Sequence, residues 1–204
     1  MINRTRAVVF DCDGVLLDSR QANLAYYNRI LDYFSEPVVT ADQTERAYLC
    51  HTGSTPQVLA GLLGQARVDE ALAVAEAVNY QDFIEQLTPE PGLEGVLQRL
   101  AEHFPLAIAT NRRGTMHQIL DHFKWRDFFQ VVVTSCDVER PKPHPDVLFA
   151  VASRLDCRGK DMVYVGDSTL DRQAAERASV PFIAYKWDGG RRIDHHQQLL
   201  PLLL

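Results

Sequence analysis

The sequence predicts an α/β fold, in which a parallel β-sheet is flanked by helices and a block of helices follows the first strand. Three observations predict it. A run of strand-forming apolar residues at positions 7–10 ends abruptly in two closely spaced aspartates. Residues 20–88 carry helical periodicity and no convincing strand pattern. From Pro91 onward helical and strand patterns alternate, which is typical of a parallel sheet with helices on both faces.

The first strand leads directly into Asp11, Asp13 and Gly14. Strands buried on both faces read as continuous apolar runs, and ligands in parallel sheets bind beyond the carboxyl ends of the strands. Asp11 and Asp13 are therefore expected at the mouth of a site, close enough to share one metal ion. Gly14 permits a sharp turn there without a Cβ penalty. An ordinary strand-terminal turn is the alternative interpretation of the same residues.

The helical block begins after Ser19, which is a plausible N-cap. Apolar residues recur at helical spacing through the block, and residues 54–63 also favour a helix. The predicted organisation is a core domain of residues 1–19 and 89–204 with a small helical domain of residues 20–88. Further strands are predicted at 106–110, 131–134, 162–166 and 182–185, with helical faces within 93–100, 116–123 and 148–155.

Composition restricts the possible partners. The chain has 204 residues, 46% of them hydrophobic, and a net charge of −6 without a basic run, which argues against a nucleic-acid partner. No apolar run approaches the roughly 18 residues that span a bilayer, so no membrane partner is expected. The first strand begins within a few residues of Met1, so no secretory signal is expected. The four dispersed cysteines then indicate free thiols and a cytoplasmic location. His195 and His196 are predicted to be solvent-exposed.

Polar residues follow three further predicted strands. Thr110 and Asn111 end the second core strand, Lys142 lies between prolines after the third, and Asp167 and Asp171 follow the fourth. Each has a simpler interpretation, a helix cap for the threonine, asparagine and aspartate and a solvated loop for the lysine. Because the carboxyl ends of parallel strands meet at one edge of the sheet, the set together predicts an active site.

These residues resemble the four motifs of the haloacid dehalogenase superfamily, in its phosphoglycolate phosphatase and β-phosphoglucomutase-like branch. The first motif is Asp11–Val15, the second Thr110, the third Lys142 and the fourth Gly166–Asp171. The resemblance covers nearly the whole chain. It implies a Rossmann-like core, and it identifies residues 20–88 as a small helical cap domain.

The resemblance also implies the catalytic roles. Asp11 attacks phosphorus and forms an aspartyl-phosphate. Asp13 protonates the leaving alkoxide and later deprotonates the attacking water. Thr110 and Lys142 stabilise the phosphoryl oxygens, and Asn111 donates a further hydrogen bond or, equally well, caps the following helix.

A metal ion is implied as well. Mg²⁺ is a hard cation that prefers oxygen ligands, and it offsets the repulsion between a carboxylate nucleophile and a phosphate dianion. By resemblance its ligands are Asp11, the backbone carbonyl of Asp13 and Asp167. Asp171 either reaches the metal through water or supports the site from behind.

The substrate is expected to be a small phosphorylated metabolite. A substrate-selecting loop of the cap is predicted at His51, Thr52, Gly53 and Ser54, for which the alternative is a plain helix–helix connection with Ser54 as N-cap. Retention of Asp13 favours cleavage of a phosphate ester over halide release, since a halide leaving group needs no proton.

Two alternatives to a Mg²⁺-dependent phosphatase remain open. One is a phosphomutase of the β-phosphoglucomutase type, and the other a non-catalytic protein that binds a phosphate ligand or regulates. Oligomeric state is not predicted.

Overall fold

The computed structural model describes residues 5–204. Residues 1–4, which belong to the predicted core domain, lie outside the described residues. The chain forms two compact units: one extends to Leu17 and resumes over Pro89–Leu204, and the other comprises Asp18–Thr88. They are called the core unit and the helical unit below.

The core unit contains a six-stranded parallel sheet, as the sequence predicts. Strand β1 lies inside it, paired with β4 on one side and β6 on the other. All four residues of β1 are fully buried, which is why this strand reads as an unbroken apolar run. The sheet order is β5-β4-β1-β6-β7-β8, with β1 at Ala7–Phe10, β4 at Leu106–Ala109, β5 at Phe129–Val133, β6 at Met162–Gly166, β7 at Phe182–Tyr185 and β8 at Arg191–Ile193.

Helices lie between most of these strands, and each helix between strands buries one apolar face. Helix α6, for example, buries its leucine and valine residues at helical spacing, and its polar residues stay in water. The helices of the core unit are α6 (Leu93–Ala101), α7 (Thr115–Phe123), α8 (Asp146–Arg154), α9 (Thr169–Ala178) and α10 (Leu200–Leu203), with 3₁₀ turns at Arg126–Phe128, Gly159–Asp161 and His196–Leu199.

The helical unit has its own apolar core, to which each of its four longest helices contributes buried residues. Its helices are α1 (Arg20–Tyr33), α2 (Thr44–Thr52), α3 (Thr55–Leu63), α4 (Val68–Ala77) and α5 (Gln81–Ile84), with a 3₁₀ turn at Gln65–Arg67. The short strands β2 (Leu17–Asp18) and β3 (Thr88–Pro89) pair as a separate two-stranded sheet. Within residues 5–204 no helix is both long and apolar enough to cross a bilayer. The four cysteines are free thiols, as predicted.

The structure differs from the sequence-based expectations at two points. Strand β8 was not predicted. It is a three-residue edge strand with two exposed arginines, so it contains no apolar run that would indicate a strand. His196 was predicted to be exposed with His195, and it is fully buried whereas His195 is exposed. The physical reason is that the imidazole of His196 stacks on Tyr185, with the ring centroids 4.3 Å apart, and bonds to a backbone carbonyl.

Candidate active site

The sheet brings the predicted motif residues to one edge. Asp11 and Thr110 directly follow the neighbouring strands β1 and β4, and Asp167 follows β6. The backbone N–H of Asp11 donates to Val165 O at 2.9 Å, and that of Thr110 to Val133 O at 3.0 Å. These bonds continue the strand ladders by one residue, so the backbone at both side chains is fixed by the sheet itself.

Three carboxylates converge at this edge. Asp11, Asp167 and Asp171 each offer an oxygen, and these oxygens lie within 4.8 Å of one another. Burial, opposed by Lys142 and reinforced by the nearby Asp171, Asp167 and Asp13, raises the pKa of Asp11 to about 8. The cluster therefore carries more negative charge than its one buried lysine offsets. It is an all-oxygen site that could hold a divalent metal ion.

Lys142 is almost fully buried among these acids. Its Nζ lies 2.8 Å from Asp11 Oδ1 and 2.6 Å from Asp171 Oδ1. Burial disfavours the ammonium ion, but the two carboxylates outweigh it and raise the pKa of Lys142, so the side chain stays charged. A permanent positive charge is thus held beside Asp11.

Asn111 fixes the backbone of Lys142. Its Nδ2 donates to Lys142 O at 3.2 Å, and its Oδ1 accepts from Lys142 N at 2.9 Å. It does not cap the following helix, whose N-cap is Gly114. The asparagine therefore links the loops after β4 and β5, and its contact with substrate stays a prediction.

Both carboxylate oxygens of Asp171 accept hydrogen bonds. Its Oδ1 accepts from Lys142 Nζ and lies 2.7 Å from the hydroxyl of Tyr164. Its Oδ2 accepts from Ser168 Oγ at 2.5 Å and from the backbone N–H groups of Ser168 and Asp167 at 3.1 and 3.2 Å. With both oxygens engaged, Asp171 organises the loop that carries Asp167.

One neighbour of Asp171 was missed at the sequence level. Tyr164 reads as a core residue of an apolar strand, yet its hydroxyl accepts from Lys142 Nζ at 3.1 Å. A buried hydroxyl in such a strand was the available signal, since it needs a polar partner. Gly166 is required sterically, because a Cβ there would lie 2.5 Å from the Asp171 Cβ.

Arg112 is a second residue that the sequence did not reveal, since it reads only as one of an isolated basic pair. Its Nη2 lies 2.5 Å from Asp13 Oδ1, and both side chains are largely buried. Its backbone is held on both sides: Arg112 N donates to Thr110 Oγ1 at 3.1 Å, and Arg112 O accepts from Ser135 N at 2.9 Å. The carboxylate of Asp13 is thus paired with arginine and is not part of the three-carboxylate cluster.

The predicted substrate-selecting loop lies in the helical unit. His51 and Thr52 end α2, Gly53 follows, and Ser54 is the N-cap of α3. Ser54 N donates to Gln57 Oε1 at 2.9 Å, which is the capping arrangement named as the alternative. A role of this loop in substrate selection stays a prediction.

Comparison with known proteins adds to this geometry. A family model described as haloacid dehalogenase-like hydrolase matches residues 8–185, most of the chain. The chain belongs to the haloacid dehalogenase-like hydrolases. A phosphoglycolate phosphatase from Xanthomonas campestris pv. campestris (strain 8004) is 32% identical over 185 residues, covering 89% of this chain and 83% of that protein. The pyrophosphatase PpaX from Bacillus velezensis is 28% identical over 188 residues, covering 90% and 84%.

A solved structure extends the likeness to the fold. A hydrolase of this superfamily from Geobacter sulfurreducens PCA, subfamily IA, variant 1, superposes with a TM-score of 0.86 at 34% identity, covering 98% of this chain and 100% of that chain. The predicted family and fold class are confirmed. The chain is a phosphatase of this family, a phosphoric monoester hydrolase.

Proposed function

We propose that this phosphatase hydrolyses a small phosphomonoester with Mg²⁺, through an aspartyl-phosphate formed on Asp11. The observation that carries the proposal is the environment of Asp11. Its carboxylate is buried among Asp167 and Asp171 and lies 2.8 Å from the Lys142 ammonium group. A buried, under-compensated carboxylate at the carboxyl end of a central strand is suited to attack a phosphorus atom that a cation has made accessible.

The donor set fits Mg²⁺. The ligands available are carboxylate oxygens, which hard cations prefer. Burial chiefly, and the neighbouring carboxylates in addition, raise the pKa of Asp11, and a bound divalent cation would favour its ionised form. Asp11 and Asp167 would hold the ion, together with the backbone carbonyl of Asp13. Both carboxylate oxygens of Asp171 already accept hydrogen bonds from protein donors. This supports a role in which Asp171 orients the metal ligands and does not bind the ion directly. When bound, the ion reduces the repulsion between Asp11 and a phosphate dianion.

Lys142 and Thr110 are proposed to receive the phosphoryl group. Lys142 presents a fixed point charge beside the nucleophile, and its position is held by Asn111 and Asp171 before any substrate arrives. Preorganised donors of this kind stabilise charge without reorganisation during the reaction. The Thr110 hydroxyl accepts from Arg112 N, so its own proton remains available to donate to a phosphoryl oxygen.

Asp13 is proposed as the general acid and base. Asp13 lies two residues after the proposed nucleophile Asp11. Both therefore follow strand β1 and lie at the same edge of the sheet, where a general acid can act on the leaving group. It would protonate the leaving alkoxide and then take a proton from the water that cleaves the aspartyl-phosphate. In this structure Oδ1 of Asp13 is paired with Arg112.

The domain roles and the substrate belong to the same proposal. Residues 1–19 and 89–204 would form the catalytic core, and residues 20–88 the cap, with His51–Ser54 contributing to selection. The names of the relatives guide the choice of substrates, since phosphoglycolate and pyrophosphate each join a phosphoryl group to a second anionic group.

The test is phosphate release from a panel of small phosphomonoesters and pyrophosphate, with Mg²⁺ and with excess chelator. Metal-dependent release by the wild type that Asp11→Asn abolishes would support the proposal. Isomerisation of a hexose 1-phosphate without net phosphate release would support a mutase instead. Activity that survives in Asp11→Asn would overturn the assignment of the nucleophile, and full activity after chelation would overturn the role of the metal.

A further inference from the structure

The C-terminal segment contacts the turn that carries Asp13. His196 is fully buried, and its Nε2 donates to the backbone carbonyl of Val15 at 2.7 Å, across 181 residues of sequence. The imidazole stacks on Tyr185, with ring planes 20° apart. Both residues belong to the core unit, and none of the four motifs contains either of them.

A second bond reaches the next carbonyl of the same turn. The backbone N–H of Glu90 donates to Leu16 O at 3.0 Å. The carboxylate of Glu90 accepts from the Tyr185 hydroxyl at 2.7 Å and from Lys186 Nζ at 2.6 Å. Because Tyr185 is also the stacking partner of His196, the two anchors form one connected network. Two successive carbonyls are therefore held by groups from distant parts of the chain.

The turn itself is tightly closed. Gly14 adopts a φ of 75° and donates its N–H to Leu17 O at 2.8 Å, while Leu16 N and Leu17 N both bond to Cys12 O at 2.9 and 3.1 Å. Asp13 lies at the start of this turn. A shift of the anchored carbonyls of Val15 and Leu16 would therefore also move the backbone of Asp13. Displacements of about 1 Å at a reacting group cost large factors in rate.

We propose that His196, linked through Tyr185 to Glu90, is a positioning residue that holds Asp13 where it can protonate the leaving group. The inference rests on the proposed function, because it assigns that task to Asp13. A neutral imidazole with its proton on Nε2 is what the Val15 carbonyl requires. Burial keeps the ring in that form and lowers the pKa of His196 to about 4 against the effect of the carbonyl.

Leaving-group dependence tests this inference. An alkyl phosphate releases a strongly basic alkoxide and needs the general acid, whereas p-nitrophenyl phosphate releases a weakly basic phenolate and needs it little. The value of kcat/KM covers the steps up to loss of the leaving group and is measured for 2-phosphoglycolate and p-nitrophenyl phosphate. We expect His196→Phe, which keeps an aromatic ring but removes the donor, to lose about tenfold more on the alkyl ester.

Matched variants separate positioning from general stability. His196→Gln keeps an N–H donor and should recover most of the alkyl-ester activity. Leu199→Ala removes a fully buried side chain from the same segment but leaves the His196 donor to Val15 O in place, and it should lower both activities equally if it lowers either. Tyr185→Phe breaks the link to Glu90 while keeping the stack, and it should show a smaller selective loss in the same direction. It keeps the test decisive if His196→Phe does not fold.

The outcomes are distinguishable. A selective loss on the alkyl ester, with rescue by His196→Gln, supports the inference. Equal losses on both esters, or no loss, in a folded His196→Phe or in Tyr185→Phe overturn it while the proposed function stands. If the wild type hydrolyses no phosphomonoester of the panel, these two esters included, the proposed function fails, and the inference fails with it.

Discussion

The guanidinium group of Arg112 lies 2.5 Å from the carboxylate of Asp13, and this pair joins the ends of two neighbouring strands. The arginine comes two residues after Thr110 and the aspartate two residues after Asp11. The proposed acid and base is therefore fixed from two directions, by the turn beneath it and by the arginine beside it. To donate a proton from Oδ1, Asp13 would have to give up this contact.

The first prediction concerns the coupling of this pair. We expect a double-mutant cycle with Arg112→Met and Asp13→Asn to give a coupling free energy of about 1–3 kcal/mol in the free energy of unfolding. The reason is that either single change leaves a largely buried charge without its partner. Urea denaturation measures the four proteins. Additive effects within about 0.5 kcal/mol would mean that the pair contributes nothing.

The second prediction concerns metal binding at Asp11. We expect Mg²⁺ to raise the Tm of the wild type and to raise that of Asp11→Asn much less, because the substitution removes one charged ligand. Without metal, Asp11→Asn should be at least as stable as the wild type, since it removes one of three crowded carboxylates. Thermal denaturation with and without Mg²⁺ measures both effects. Asp121→Asn, an exposed position on α7, serves as the control. An equal Mg²⁺ effect in all three proteins would contradict the assignment.

The third prediction concerns Lys142. We expect Lys142→Met to lower kcat by about 10²-fold or more, because it removes a preorganised cation from the proposed phosphoryl site. The substitution should also lower the stability of the metal-free protein, since Asp11 and Asp171 would then face each other without a buried cation. Steady-state kinetics and denaturation in excess chelator measure the two effects. Lys124→Met, at an exposed helix end, should change neither. Near-normal kcat in folded Lys142→Met would remove the lysine from the mechanism.

The fourth prediction concerns pH and His196. Burial, together with smaller effects of Lys186 and His195, lowers its pKa from an ordinary 6.5 to about 4, although the Val15 carbonyl and Glu90 favour the protonated ring. In the unfolded chain this histidine binds a proton below about pH 6.5, whereas in the folded protein it binds one only near pH 4. Stability from this group is thus complete above pH 6.5 and is lost as pH falls toward 4, by roughly 3 kcal/mol.

The measurement is urea denaturation of wild type and His196→Gln between pH 4 and 7.5. The wild type should lose more stability across this window, because glutamine does not titrate. His122→Gln, an exposed histidine on α7, should follow the wild type closely. Parallel curves for wild type and His196→Gln would show that the imidazole is not protected from protonation.

The apolar runs at Ala7–Phe10 and Met162–Gly166 predicted strands β1 and β6 at their observed bounds. Strands buried on both faces form nearly continuous apolar runs, so they can be recognised from the sequence. The polar residues at strand ends could also be recognised, because the acids after β1 and β6, the threonine after β4 and the lysine after β5 together favour a site over separate caps and loops. Edge strand β8 lacked that signature.

The sequence by itself determined the α/β class, the helical insertion and the motif residues, because periodicity and strand-end chemistry are local properties of the chain. Only the tertiary structure decided the pairing of Arg112 with Asp13, the use of Asn111 on Lys142 and the burial of His196 against Val15. These are contacts between residues 31 to 181 positions apart. Each of these polar groups could equally well bond to water or cap a helix. The packing of the sheet and its loops decides which partner it meets.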